Sequence, residues 1–274
     1  MENWVENKKV HDAEWGMLYA YCMANAAKYT NIKEEWANLF SFEMGHPLTL
    51  RYISEGKHKI NGKEGYFKSK NKHLQNRIDK YITPTTDAIL DLGAGWGRHS
   101  IQLAFNNPDY NIISGELSDT GKAILEYFIE KYDLSITIVD FNWHDHKSII
   151  DFLSQQFSYD EGKTWSNFKE IIIFTSNAIE QIPNIKLEFF TDLLSLPIKK
   201  ISAIHIEPVK FQYDNADFPF SEENAHYNRN LKTVLDSLVS LGLIKIKDVI
   251  PLYWGHSLNI ASQNNTLIEW VKLL

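Results

Sequence analysis

Ile89-Leu90-Asp91-Leu92 is a short apolar run with one acid, followed by glycines at 93, 95 and 97 in Gly93-Ala94-Gly95-Trp96-Gly97-Arg98. Alternate glycines let the backbone take positive φ and come close to a ligand. A second acid, Glu116, ends the run Asn111-Ile112-Ile113-Ser114-Gly115-Glu116, one helix further on. A carboxylate at such a strand end can accept both hydroxyl hydrogens of a ribose. A third, Asp140, ends Ser135-Ile136-Thr137-Ile138-Val139-Asp140 and is followed by Phe141. Acids at successive strand ends beside a glycine turn describe a pocket for a ligand of nucleoside type.

The spacing narrows the ligand. A dinucleotide phosphate turn reads G-x-G-x-x-G, and a P-loop needs Gly-Lys-Ser/Thr. Here the turn is G-x-G-x-G and no Gly-Lys-Ser/Thr follows it. The glycines alone also suit a βα turn of some other α/β protein. Together with Asp91, Glu116 and Asp140-Phe141, residues 89 to 141 resemble the SAM-binding motifs of class I S-adenosylmethionine (SAM) methyltransferases. The resemblance implies that Gly93, Ala94, Gly95, Gly97 and Arg98 wrap the methionine part of SAM. It implies that Glu116 holds the ribose, that Asp140 binds the adenine amino group and that Phe141 covers the ring. Asp91 and Ser176 complete the expected cofactor set, and S-adenosylhomocysteine is the expected product.

Two later segments reach the same end of the sheet. Ile171-Ile172-Ile173-Phe174 opens into Thr175-Ser176-Asn177-Ala178-Ile179-Glu180-Gln181-Ile182-Pro183. Ser176 or Asn177 also suits a helix N-cap, with Glu180 in the first turn. Ala203-Ile204-His205-Ile206-Glu207 ends in a carboxylate before Pro208. His205 and Glu207 share one face of that strand, and His205 reads as a core histidine. Asn177, Glu180 and Glu207 are the expected substrate-orienting residues. With His226-Tyr227-Asn228-Arg229-Asn230-Leu231, these segments resemble a bacterial subgroup of class I methyltransferases. That likeness implies N-methylation of the α-amine of an arginine-started modified peptide. An α-amine titrates near ~8 and needs no strong base, whereas a guanidinium prefers bidentate carboxylates. The Asn/Asp-Pro-Pro-Tyr/Phe signature of amino methyltransferases is replaced by Thr175-Ser176-Asn177-Ala178. Three alternatives stay open: an O-methyltransferase of a sugar or other small molecule, an NAD(P) oxidoreductase, and an inactive partner subunit.

The elements that position these residues alternate strand and helix after about residue 84. This predicts a doubly wound, mostly parallel α/β sheet of seven strands with an N-terminal helical extension. Strands are expected near 88–92, 111–116, 135–139, 170–175 and 201–207, with a final pair near 242–249 and 256–263 and a helix over 224–240. Residues 1–84 are read as the extension and 85–274 as the SAM-binding domain. Within the extension, His11 to Tyr29, Asn31 to Phe42 and Lys72 to Ile82 read as helices, no strand pattern stands out, and Gly62 to Asn71 reads as a loop. Trp15, Tyr19, Tyr21, Tyr29, Trp36, Phe40 and Phe42 suggest a cap over the site.

Composition agrees with a small-molecule or modified-peptide substrate. The 274-residue chain carries a net charge of −7, which disfavours a nucleic-acid backbone as partner. The start, with Glu2, Glu6, Lys8 and Lys9, does not read as a signal peptide, and no apolar run has membrane-spanning length. A cytoplasmic enzyme with no membrane partner is expected. Cys22 is the single cysteine and reads as a packed hydrophobe, while His144 and His146 lack a third metal ligand.

Overall fold

The computed structural model describes residues 4–44, 49–54, 57–155, 168–179, 182–209, 212–213, 228–251, 254–256 and 266–273. Five strands arise where the sequence runs apolar: β3 (Ala88–Leu92), β4 (Ile112–Glu116), β5 (Ile136–Asp140), β6 (Glu170–Ser176) and β7 (Lys200–Glu207). β3 and β4 are buried along their whole length, and β6 and β7 over nearly all of it. A strand covered on both faces has no reason to alternate apolar with polar. With β8 (Ile244–Pro251) and β10 (Thr266–Lys272) they form a seven-stranded sheet in the order β5-β4-β3-β6-β7-β10-β8. The first five strands are parallel, and β10 runs antiparallel to both neighbours. The chain moves outward from β3 to β4 and β5, then returns to β6 on the other side of β3. The switch in strand order therefore falls at the tip of β3, where an open α/β sheet offers a ligand crevice.

Successive side chains of these strands enter two separate clusters, as the pleat requires. Leu90, Leu92, Ile171 and Ile173 join the cluster that α6 (Lys147–Gln155), α7 (Leu187–Ser195) and α8 (Leu231–Ser240) cover. Ile89, Ile112, Ile172 and Phe174 join the other cluster. It is covered by α1 (Trp4–Asn25), α2 (Ile32–Met44), α3 (Lys63–Tyr81), α4 (Arg98–Asn106) and α5 (Asp119–Tyr132).

The extension is held to the sheet layer by buried acids. Glu35 of α2 accepts from Tyr127 Oη at 2.6 Å and Lys131 Nζ at 2.7 Å, and also from Tyr132 Oη. Glu269 in mid-β10 accepts from Arg77, Lys80 and Tyr81 of α3 at 2.8 to 3.0 Å. Each buried carboxylate has cationic and hydroxyl partners, which is the condition for burying it at all. Cys22 is buried as expected, and burial pushes its thiol up to about 12. No helix among the described residues is long and apolar enough to cross a membrane.

Four expectations need correction. The extension contains strands β1 (Thr49–Ser54) and β2 (Lys57–Gly62), and a third strand, β9 (Trp254–His256), joins them from the C-terminal part. The stretch read as a loop is the end of β2 and the first turns of α3, which begins at Lys63. The final strand is Thr266–Lys272, later than expected, and α8 starts at Leu231; residues 224–227 and 257–263 lie outside the described residues.

Candidate cofactor crevice

The crevice begins where β3 runs out. Gly93, Gly95 and Gly97 all take positive φ, at 81°, 59° and 81°. Gly93 and Ala94 both donate to the carbonyl of Gly115 at the end of β4, at 2.9 and 3.0 Å. Gly95 N–H donates to Glu116 Oε2 at 2.7 Å. The turn is thus stitched to the tip of the neighbouring strand through its own amides. Glycine is favoured at 95: a Cβ there would crowd the Trp15 ring at 3.0 Å and be strained at φ +59°. Gly97 faces elsewhere. A Cβ on it would stand 2.0 Å from Leu125 Cδ2, so α5 packing explains this glycine.

Asp91 lies beneath the turn with 2% of its surface exposed. Ser114 Oγ donates to Ser100 Oγ, and Ser100 Oγ donates to Asp91 Oδ2, each at 2.7 Å. Burial pushes the Asp91 carboxyl up to about 7, against the hydrogen bonds from Ser100. Asp91 thereby ties the end of β3 to the first turn of α4.

Glu116 occupies the tip of β4. Its Oε1 accepts from the amide of Ser118 at 2.8 Å and from its hydroxyl at 2.6 Å. Ser118 is also the N-cap of α5, accepting from Gly121 N–H at 3.2 Å. Burial raises the Glu116 carboxyl, while the bonds from Ser118 and Gly95 and the nearby His11 work in the other direction. One short motif therefore fixes the carboxylate, the helix start and the glycine turn together.

Two expected cofactor contacts are otherwise engaged at the tip of β5. Asp140 is 78% exposed at its side chain and pairs with Lys122 of α5 at 2.5 Å. Phe141 is buried, with its ring 4.7 Å from that of Trp143 and 6.0 Å from that of Phe189. Its ring packs in the aromatic core at the tip of β5. Arg98, also in the expected cofactor set, is engaged by the extension. Its guanidinium pairs with Glu43 at 3.1 Å and lies 5.7 Å from the Phe40 ring centroid, so it fastens α2 to the start of α4.

At the tips of β6 and β7 the structure brings Ser176, Asn177 and Glu207 together. Asn177 sits at φ +57°, in the left-handed region that asparagine tolerates, and donates its amide to Ile206 O at 3.1 Å. Glu207 has 0% exposure and accepts from the Ala178 amide at 3.2 Å. Glu180 lies outside the described residues. Thr175 bonds His205 Nδ1 at 3.0 Å, and Trp270 Nε1 donates to His205 Nε2 at 2.9 Å. Since Nε2 accepts, Nδ1 carries the hydrogen and donates to Thr175. Burial holds His205 neutral, down to about 3, which bears out its reading as a core histidine. Asn228 and Asn230 serve the neighbouring loop: Asn228 Nδ2 donates to Ile182 O at 2.7 Å, and Asn230 Oδ1 accepts from Ile185 N–H at 2.8 Å.

Further residues complete the surroundings. Among the described residues, the buried Trp143 Nε1, which sequence reading did not assign, and the buried Ser176 Oγ, which it placed in the cofactor set, have no hydrogen-bond partner. The Trp143 nitrogen lies 3.6 Å from the point where Gly93 would carry a Cβ, and Ala178 Cβ lies 2.5 Å from that point. From α1, Asp12 Oδ1 accepts from the amides of Asp119 and Thr120 at 2.7 and 3.3 Å, and Lys8 pairs with Asp119 at 2.5 Å. Of the extension's aromatics, Trp36 and Phe40 are core, and Tyr21 stacks on Phe42 at 3.8 Å; it is Trp15 that reaches the turn. A helical period placing 8, 11, 12 and 15 on one face was the available signal.

No protein-family profile and no curated protein sequence matches the chain. Solved structures do. A protein from Staphylococcus aureus described as a putative caffeoyl-CoA O-methyltransferase aligns with a TM-score of 0.51 at 13% identity, over 94% of this chain and all 100% of its own. An O-methyltransferase from Bacillus cereus, solved with S-adenosylhomocysteine, aligns at 0.46 and 15% identity, over 75% of this chain and 80% of its own. A putative SAM-dependent methyltransferase from Listeria monocytogenes aligns at 0.44 and 14%, over 75% of this chain and 98% of its own. What the chain shares with the first, over nearly its whole length, is the fold, a methyltransferase-type α/β sheet of seven mostly parallel strands between layers of helices.

Proposed function

We propose that the chain is a SAM-dependent methyltransferase whose cofactor lies across the tips of β5, β4, β3 and β6. One observation carries this reading: the amides of the glycine turn are spent inward, on Gly115 O and Glu116. A pyrophosphate is held by free amides at such a turn, so a dinucleotide finds no cradle in Gly93, Ala94 or Gly95. A nucleoside without phosphate asks instead for a carboxylate at the second strand tip. Glu116 supplies it, and its Oε2 accepts from Gly95 alone among the hydrogen bonds described, while a carboxylate oxygen takes two. The orphaned Trp143 Nε1 and Ser176 Oγ fit the other end, where an amino-acid carboxylate would accept from them. Bound SAM supplies a sulfonium-activated methyl group for an in-line nucleophile. The chain's own task is to hold nucleoside and acceptor at near-attack distance.

The finer reading is N-methylation of the α-amine of an arginine-started modified peptide. It rests on the likeness of 175–183, 205–209 and 226–231 to the plantazolicin N-methyltransferases of Bacillus. It asks little of the site's acid–base chemistry, since an α-amine titrates near ~8 and needs no strong base. The second reading is O-methylation of a sugar or other small molecule. It is favoured by Glu207, which is fully buried and serves the Ala178 amide, so that it stands less ready for a guanidinium.

Calorimetry with S-adenosylhomocysteine and NAD, then intact-mass analysis with SAM and arginine-started peptides, phenols and sugars, tests these readings in turn. Binding of S-adenosylhomocysteine but not NAD, and a gain of one or more methyl groups on an acceptor, are expected. Binding of NAD alone would overturn the cofactor assignment. Methylation confined to sugars or phenols would overturn the peptide reading and leave the methyltransferase standing.

A further inference from the structure

The sequence reading gave the extension's aromatics, Trp15 among them, a place in a cap over the site, and assigned no residue of α1 to the nucleoside itself. The helix carries three half-buried side chains to one place. Trp15 presents its six-membered ring to Gly95, whose Cβ point lies 3.0 Å from Trp15 Cζ2 and 3.4 Å from Cε2. Gly95 is the residue whose amide is bonded to Glu116. One turn earlier, His11 lies within the electrostatic reach of the same carboxylate. Asp12, beside it, takes the amides of Asp119 and Thr120 at the start of α5, and Thr120 Oγ1 donates back to Asp12 O at 3.0 Å. Free amides at a helix start are unsatisfied donors with partial positive charge, so a carboxylate is a natural plug for them.

These contacts form one line. Glu116 is bonded to Ser118, Ser118 caps α5, the next amides of α5 are bonded to Asp12, and α1 carries Trp15 back over Gly95 beside Glu116. Trp36, from α2, packs in the core and donates to Arg98 O at 2.9 Å, next to the turn. Trp15 packs against the same cluster and also meets Gly95, the glycine whose amide is bonded to Glu116.

We infer that α1 is a wall of the cofactor pocket, with Trp15 contacting the nucleoside part of the ligand and Asp12 positioning Trp15 through the start of α5. The inference rests on the methyltransferase reading and deepens it: the extension supplies binding residues for the nucleoside end. Lys8, paired with Asp119, adds a second tie at the same helix start. Because the wall faces the ribose end, it treats ligands that share a nucleoside alike, whatever their amino-acid tail.

The test measures affinity for S-adenosylhomocysteine and for 5′-methylthioadenosine, which has the nucleoside but no amino-acid tail. It compares the wild type, Trp15→Ala, Asp12→Ala and the double variant, each checked for melting temperature. Trp15→Ala is expected to weaken both ligands by a similar factor, about tenfold. Asp12→Ala is expected to weaken both by less, and to add nothing once Trp15 is gone, because Asp12 acts through the indole. Wild-type affinity in folded Trp15→Ala overturns the wall. Additive losses in the double variant overturn the positioning role of Asp12. A loss for S-adenosylhomocysteine only moves Trp15 to the amino-acid end and overturns the nucleoside assignment. If the wild type binds neither ligand, the methyltransferase reading itself fails, and that result is separate from all of these.

Discussion

Asp91→Asn exposes how the turn is built. The carboxyl titrates at about 7 in the folded chain against an ordinary 3.8, because burial penalises its charged form more than the Ser100 bonds favour it. Between those pH values the unfolded chain has released this proton and the folded chain has kept it. Stability therefore falls as pH rises from about 4 to about 7 and then levels off. At 1.36 kcal/mol per pH unit, the penalty reaches about 2 kcal/mol at pH 5 and about 4 kcal/mol at pH 8. Asparagine keeps an oxygen to accept from Ser100 and never ionises, so it escapes the penalty at every pH. Its own packing offset is independent of pH and cancels between conditions. Urea denaturation of both proteins, followed by tryptophan fluorescence at pH 5 and pH 8, should show Asp91→Asn gaining about 2 to 3 kcal/mol on the wild type between the two. A difference between the two proteins that stays constant with pH would refute the argument, and with it the claim that Asp91 is a neutral support at low pH.

Gly97→Ala should destabilise the fold by roughly 2 to 4 kcal/mol, combining the left-handed penalty at φ +81° with overpacking against Leu125; a urea midpoint equal to that of the wild type would show that α5 yields easily. Glu116→Ala should weaken S-adenosylhomocysteine by about 1.5–3 kcal/mol, the range for hydrogen bonds to a charged group. It should also loosen the start of α5, since Ser118 loses its partner. Calorimetry showing undiminished affinity in that variant would remove Glu116 from the ribose.

The parts of the fold legible in the sequence are those whose signal is local. β3, β4, β6 and β7 are apolar runs with two covered faces, and β5 is a β-branched run at the sheet edge; all but β6 are closed by an acid or by glycine. The small sheet was hidden because β2 is rich in lysine, histidine and asparagine, because the third strand, β9, comes from about two hundred residues further on, and because Gly62 read as a loop signal although α3 begins at the next residue. β10 was misplaced for a different reason. It carries Glu269 in mid-strand, and that charge is tolerable only because Arg77, Lys80 and Tyr81 arrive from α3, nearly two hundred residues away in the chain. Pattern reading has no access to such a partner.

The site divides along the same line. Which acids stand at which strand tips follows from strand order, and Glu116 ends β4. What those acids and their neighbours touch does not follow. Arg98 belongs to Glu43, Asp140 to Lys122, and Phe141 to the aromatic cluster of Trp143 and Phe189, because each partner comes from an element whose docking is set elsewhere. The aromatic content of the extension pointed to a cap, yet aromatic packing accounts for Trp36 and Phe40 without one. The polar residues make the stronger case. Asp12 caps a helix that Ser118 already caps, and Ser118 is bound to Glu116. A ligand that draws on Glu116 therefore acts on the start of α5, and what steadies the start of α5 steadies α1. By linkage the influence runs equally both ways: an extension well docked on α5 favours the pocket, and an occupied pocket favours the docked extension.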